Sequence, residues 1–158
     1  MSNIKLLTKI YLPFIEHGLS NLVFVVSINS YDQYNEEGIN DLSDSLRMYK
    51  SLTSNILLKS KSFVVLFNKM DLFEKKLLFS RLSVHFSEYK VTDLKDQDLR
   101  SAKKFFKLLF ENAGHEHLIG LQKFHFTTMT DTEAIGPVIG RRILTSIINT
   151  SIENASVL

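Results

Sequence analysis

Eleven residues, Ser62-Phe63-Val64-Val65-Leu66-Phe67-Asn68-Lys69-Met70-Asp71-Leu72, constrain this chain more than any others. Five apolar residues rich in Val and Phe run without interruption and then stop at polar side chains. An unbroken run of that length and composition predicts a strand covered on both faces, as in a parallel sheet. The polar groups that follow stand at the carboxyl end of the strand, where open parallel sheets bind ligands.

A second uninterrupted, β-branched run, Leu22 to Ile28, predicts another buried strand. Between the two lies a helical pattern, with Ile39, Leu42, Leu46, Tyr49 and Leu52 at helical spacing and Asn40 or Asp41 as N-cap. Strand, helix, strand implies a parallel crossover. Residues 72–79 read as a short amphipathic helix, 80–95 as irregular, and 97–112 as a firmer helix. Its apolar face carries Leu99, Ala102, Phe105, Phe106, Leu109 and Phe110, with Lys103, Lys104 and Lys107 expected on a solvated face. Residues 123–128 alternate in polarity, which fits a half-exposed strand at the sheet edge. A final helix is expected over about 133–150, with Thr130 as its cap and Pro137 near its first turn. The expected fold class is therefore α/β, with parallel strands near 22–28, 62–68 and 123–128 and helices on both faces.

Bulk properties exclude more than they assign. At 158 residues, 44% hydrophobic and 23% charged, the chain is long enough for one domain with a real core, and no linker divides it. A formal charge of +2 calls for no nucleic acid partner. With no Cys there is no disulfide, no Cys-ligated metal and no palmitoylation, and Ser2 removes the myristoylation signal, so no direct lipid anchor is expected. No metal site is expected from the histidines: His115 and His117 read as a solvated turn and His125 as a strand residue with a satisfied ring. The expected location is cytoplasmic, at the inner face of the plasma membrane only through partners.

Two strand ends carry groups that converge on one kind of ligand. A carboxylate at Asp71 can accept two hydrogen bonds from guanine, from its ring N–H and its exocyclic amine. Adenine lacks that donor pair and would leave a buried acceptor unpaired. The Asn68 amide can serve the ring nitrogen and neighbouring loops, and the methylene stem of Lys69 can lie across base and ribose. Behind the 123–128 strand, the backbone N–H of Met129, between Thr128 and Thr130, can meet the keto oxygen of guanine. Asn-Lys-x-Asp alone is a weak motif; its place directly after a buried strand makes it more specific.

With these residues in hand, the chain resembles the carboxyl-terminal half of the alpha subunit of heterotrimeric G proteins. The resemblance rests on Leu22 to Gln33 (LVFVVSINSYDQ), Phe63 to Lys75 (FVVLFNKMDLFEK), His125 to Thr132 (HFTTMTDT) and the apolar terminal helix. These segments stand in the family's order and at about its spacing. The resemblance implies a partial P-loop-NTPase-like (Ras-like) three-layer fold, and a guanine site made by Asn68, Lys69, Asp71, Thr128, Met129 and Thr130. Met129 stands where the family usually has Ala, at a contact made by backbone. The resemblance also implies a receptor-facing terminal segment, in which Ile147, Ile148, Ile152, Val157 and Leu158 are the expected contacts. Ala155 stands where some members carry Cys.

The sequence departs from the family in what it lacks. No G-x-x-x-x-G-K-[ST] occurs in it. The family's phosphate cradle, its Mg²⁺ ligands, its catalytic Arg and its water-orienting Gln have no counterpart, nor has the helical insertion domain. The expectation is a single partial G domain over 1–158, lacking the phosphate-loop strand. It would bind GTP or GDP weakly or not at all, with no Mg²⁺ site and no GTPase activity of its own. Two or three base contacts set against the cost of association predict affinity of about millimolar or weaker. A G-protein-coupled receptor is the expected partner; a beta-gamma dimer is a weaker one, because the second switch is mostly absent. Two other readings stand beside this one: a non-catalytic decoy that occupies receptors, and a fragment of a longer alpha subunit.

Overall fold

The computed structural model describes residues 21–58, 61–90, 98–116 and 122–128. Three strands form one parallel sheet in the order β1 (Asn21–Ser27), β2 (Ser62–Asn68), β3 (Gln122–Phe126). The register sets Phe24 beside Val65 and Val65 beside Phe124, so the carboxyl ends of all three strands lie at one end of the sheet. In β2, Ser62 to Phe67 are all buried and only Asn68 at the carboxyl end is partly open. That is the pattern expected of a central strand.

β1 corrects the expectation of a strand buried on both faces. Val26 is buried and Phe24 packs on Tyr49, with ring centroids 5.3 Å apart, but Val23 and Val25 are 47% and 52% exposed. A β-branched run reports strand conformation; it does not report how many faces are covered. The strand also ends one residue early. Ile28–Ser30 forms a 3-10 turn, closed by Ser30 Oγ donating to the Ser27 carbonyl at 2.6 Å. Short hydroxyl side chains compete with ladder bonds in this way.

After that turn the chain makes a second one, where Asn35 Oδ1 accepts from the backbone N–H of Glu37 and Ile39. Gly38 there takes φ +73°, a conformation open to glycine without cost. Helix α1 (Asp41–Thr53) follows, and of the two expected caps, Asn40 and Asp41, it is Asn40 that caps it. The Asn40 carbonyl oxygen of the side chain accepts from Leu42 N and Ser43 N, while its amide donates to the Tyr31 carbonyl at 2.6 Å. One buried side chain thus both caps the helix and fixes the loop before it.

Helix α2 (Met70–Leu77) begins two residues earlier than the periodicity implies and stops earlier too. Leu78 and Phe79, expected inside it, lie beyond its end and face solvent. The segment read as irregular contains a short helix, α3 (Leu82–His85), and three anchors: Leu82, Phe86 and Tyr89 are buried. Their spacing of four and three is helical, but one turn is too short to register as a period. Helix α4 (Leu99–Ala113) is capped by Asp98, whose Oδ2 accepts from Ser101 N at 2.8 Å.

The core lies between one face of the sheet and the helices. Phe63, Val65 and Phe67 meet Tyr49 of α1, Phe73 of α2 and Phe106 and Phe110 of α4 in one apolar cluster. Edge-on ring pairs such as Phe67–Phe110 at 5.2 Å and Phe73–Phe106 at 5.8 Å hold it in register. Phe105, Phe106 and Phe110 are core, as expected. Lys103 corrects the picture of a solvated lysine face: it is half-buried, and its ammonium lies 4.7 Å from the centroid of the Phe126 ring. The terminal helix over 133–150, expected to complete the layers, lies outside the described residues.

Candidate functional site

β2 and β3 end side by side, and two backbone bonds join them. Thr127 N donates to the Phe67 carbonyl at 2.8 Å, and Met70 N donates to the Thr127 carbonyl at 3.2 Å. β3 ends at Phe126, sooner than expected, and beyond it the donor to the Thr127 carbonyl is Met70, the residue after the left-handed Lys69. Asn68, Lys69, Asp71 and Thr128 are therefore brought to one end of the sheet, as the sequence predicts. Met129 and Thr130, and the receptor residues Ile147, Ile148, Ile152, Val157 and Leu158, lie outside the described residues.

The loop has an unusual backbone. Lys69 has φ +64° and ψ +41° and is the one non-glycine residue with positive φ among the described residues. A left-handed Lys costs about 1–2 kcal/mol relative to an ordinary conformation. Such strain concentrates at ligand-binding loops, where the geometry serves something other than stability. Here it places Lys69, whose exposed side chain has no acceptor with which to cap the helix, at the N-cap of α2.

Asp71 stands in the first turn of α2, where the helix dipole favours a negative charge. A carboxylate in that position commonly caps a backbone N–H. This one does not: its Oδ1 is buried and has no hydrogen-bond partner. The Oγ1 of Thr127 is likewise buried without one. Buried polar atoms left without partners are uncommon and costly. Two of them flank the Met70–Thr127 bond, one from each strand end. Thr127 was not among the residues picked out by sequence. Its signal was the doubled Thr127-Thr128 at a strand end, where only one of two adjacent side chains can face the sheet's interior.

Beside this end of the sheet, Ser27 of β1 stands in register with Asn68. The turn after β1 is tied to α2 by Lys76, whose ammonium donates to the Asn29 carbonyl at 2.7 Å and pairs with Asp32 at 2.6 Å. At the opposite end of the sheet, Tyr49 donates to Gln122 Oε1 at 2.6 Å. Burial, with the charge of Glu111 adding to it, pushes the Tyr49 hydroxyl's pKa up.

The fold and this strand-end geometry define a parallel α/β domain with a prepared polar end. The chain belongs to the G-protein alpha subunit family, whose model matches residues 8–147. It is 29% identical over 120 residues to a guanine nucleotide-binding protein alpha-1 subunit of Mycosarcoma maydis, covering 75% of this chain and 33% of that protein. It is 28% identical over 127 residues to the protein of the same description from Lupinus luteus, with the same two coverages. The chain thus spans about a third of the length of the curated relatives it matches.

Proposed function

We propose that this chain carries the guanine-reading part of an alpha-subunit-like signal transducer, with Asn68, Lys69, Asp71, Thr128, Met129 and Thr130 as the base site. The observation that carries the reading is the buried Oδ1 of Asp71, which has no protein partner at the end of two joined strands. A purine with an N–H beside an amine supplies the donors that a carboxylate there lacks. The strained backbone at Lys69 supports the same reading, since a plain helix start has no need of it. Family membership supports the choice of guanine among such bases.

The phosphates of GTP or GDP find no Walker-type loop in this sequence, and no residue of this chain is assigned to Mg²⁺. Binding is therefore weak, about millimolar, and this chain alone does not hydrolyse GTP. Receptor coupling through the terminal segment, a beta-gamma partner and a place at the inner membrane face are further parts of the proposal. They draw on the family alone.

Titration calorimetry with GDP and ADP tests the base site. Measurable GDP binding that exceeds ADP binding is expected. The Asp71→Asn variant presents one donor and one acceptor in place of two acceptors, so it should favour xanthosine diphosphate over GDP. Equal weak binding of all nucleotides by both proteins would remove the base site. Micromolar GDP binding would instead show that the phosphates are held by groups other than a Walker-type loop.

A further inference from the structure

The end of α2 that faces away from the base site carries a surface that neither the core nor the nucleotide reading uses. Helix α2 closes with Leu78 N donating to the Lys75 carbonyl, and Phe79 N donates to that of Lys76. Leu78 and Phe79 project from this turn at 70% and 76% exposure, and Val84 of α3 is 72% exposed. Ser80 Oγ and His85 Nε2, on the residues next to Phe79 and Val84, lie 3.3 Å apart, so the turn after α2 sits against α3. Large side chains as exposed as these in adjacent positions mark an interaction surface.

Charge defines the partner. Lys75 and Arg81 flank the apolar pair, are exposed, and make no ion pair among the described residues. Glu74 is the one carboxylate between residues 72 and 84, against Lys75, Lys76 and Arg81, and Lys76 is already held by Asp32. A protruding knob of Leu and Phe with free cations at its rim matches a bilayer interface carrying anionic headgroups. There the apolar side chains enter the acyl boundary while the cations stay among the phosphates. The two unpaired cations outnumber the single Glu74 beside them, and an anionic surface complements that excess.

We infer that Leu78, Phe79 and Val84, with Lys75 and Arg81, form a peripheral membrane-contact site specific for anionic lipid. This would be a direct contact, in addition to any location conferred by partners. Each cation held near such a surface contributes about a fivefold gain in partitioning, and removing a buried Leu or Phe costs on the order of tenfold.

The test is co-sedimentation of the 158-residue chain with vesicles of phosphatidylcholine alone, and with vesicles that also contain phosphatidylserine. The expected result is binding to the phosphatidylserine vesicles that weakens as salt is raised. Leu78→Ser with Phe79→Ser should lower it at least tenfold, and Arg81→Glu severalfold. These side chains are solvent-exposed, so circular dichroism should show the fold unchanged. Equal binding to both vesicles, or binding that the variants leave intact, would overturn the proposal. So would self-association abolished by the same variants without vesicle binding, which would make the patch an interface between copies of this chain.

Discussion

Lys69 holds a left-handed backbone that glycine would hold at no cost, and this sets stability against binding at a single position. In Lys69→Gly the strain disappears, and melting in urea should show a gain of about 0.5–1 kcal/mol, reduced by the extra freedom glycine gives the unfolded chain. The same change removes the stem that would cover a bound base, so affinity for GDP should fall rather than rise. A loss of stability in this variant would mean that the Lys69 side chain holds the loop through contacts of its own. Asp71 behaves in the opposite sense. Its Oδ1 lacks a partner in the protein, so replacing it should cost little stability while changing which base is accepted.

Helix α1 shows how one element couples a cap, a core position and a distant strand. Its Tyr49 is fully buried, donates to Gln122 of β3, and contacts the rings of Phe24, Phe63 and Phe110. Gly114 lies so close to the Gln122 side chain that a Cβ there would collide with it, so the acceptor is confined as well. Tyr49→Phe should cost about 1–3 kcal/mol, because the partner is left half-buried and unpaired. The hydroxyl also makes stability depend on pH. A folded pKa raised above the unfolded value of about 10 means that the native state holds this proton more tightly. Its contribution is therefore complete below pH 10 and is lost as pH rises beyond that. Urea midpoints measured from pH 8 to 11 should fall at the alkaline end in the wild type, and less steeply in Tyr49→Phe. Of all this, the sequence showed the helix, a cap at Asn40 or Asp41, and the apolar stripe. It did not show the Tyr49–Gln122 bond, because a pairing across 73 residues leaves no local pattern. Of the candidate site, only the placement at a strand end was legible. Asn68 to Asp71 follow their strand directly, whereas the bond from Met70 to Thr127 that assembles the two halves exists only in three dimensions.

At the scale of the molecule, the backbone ladder holds β1 beside β2 as far as Ser27 and Asn68, but the turn beyond β1 is placed by side chains. Lys76 ties that turn to α2. From α2, which follows β2, it reaches the turn after β1, donating to the Asn29 carbonyl and pairing with Asp32 while its ammonium lies 5.9 Å from the Tyr31 ring centroid. Tyr31 in turn donates to the Ser80 carbonyl at 2.6 Å, so the loop and the helix hold each other at two points. Both charged side chains are about one-fifth exposed, at 19% and 18%. The pair therefore belongs between exposed ion pairs, worth less than about 1 kcal/mol, and buried ones, whose disruption costs about 3–5 kcal/mol. A double-mutant cycle with Lys76→Met and Asp32→Asn should return a coupling of about 1–2 kcal/mol, only weakly reduced by salt. Because the clamp sets the turn beside Asn68, the single Lys76→Met variant should also weaken GDP binding without touching the base. Coupling near zero, or nucleotide affinity unchanged in that variant, would show that the ladder and the apolar core place the turn without the clamp.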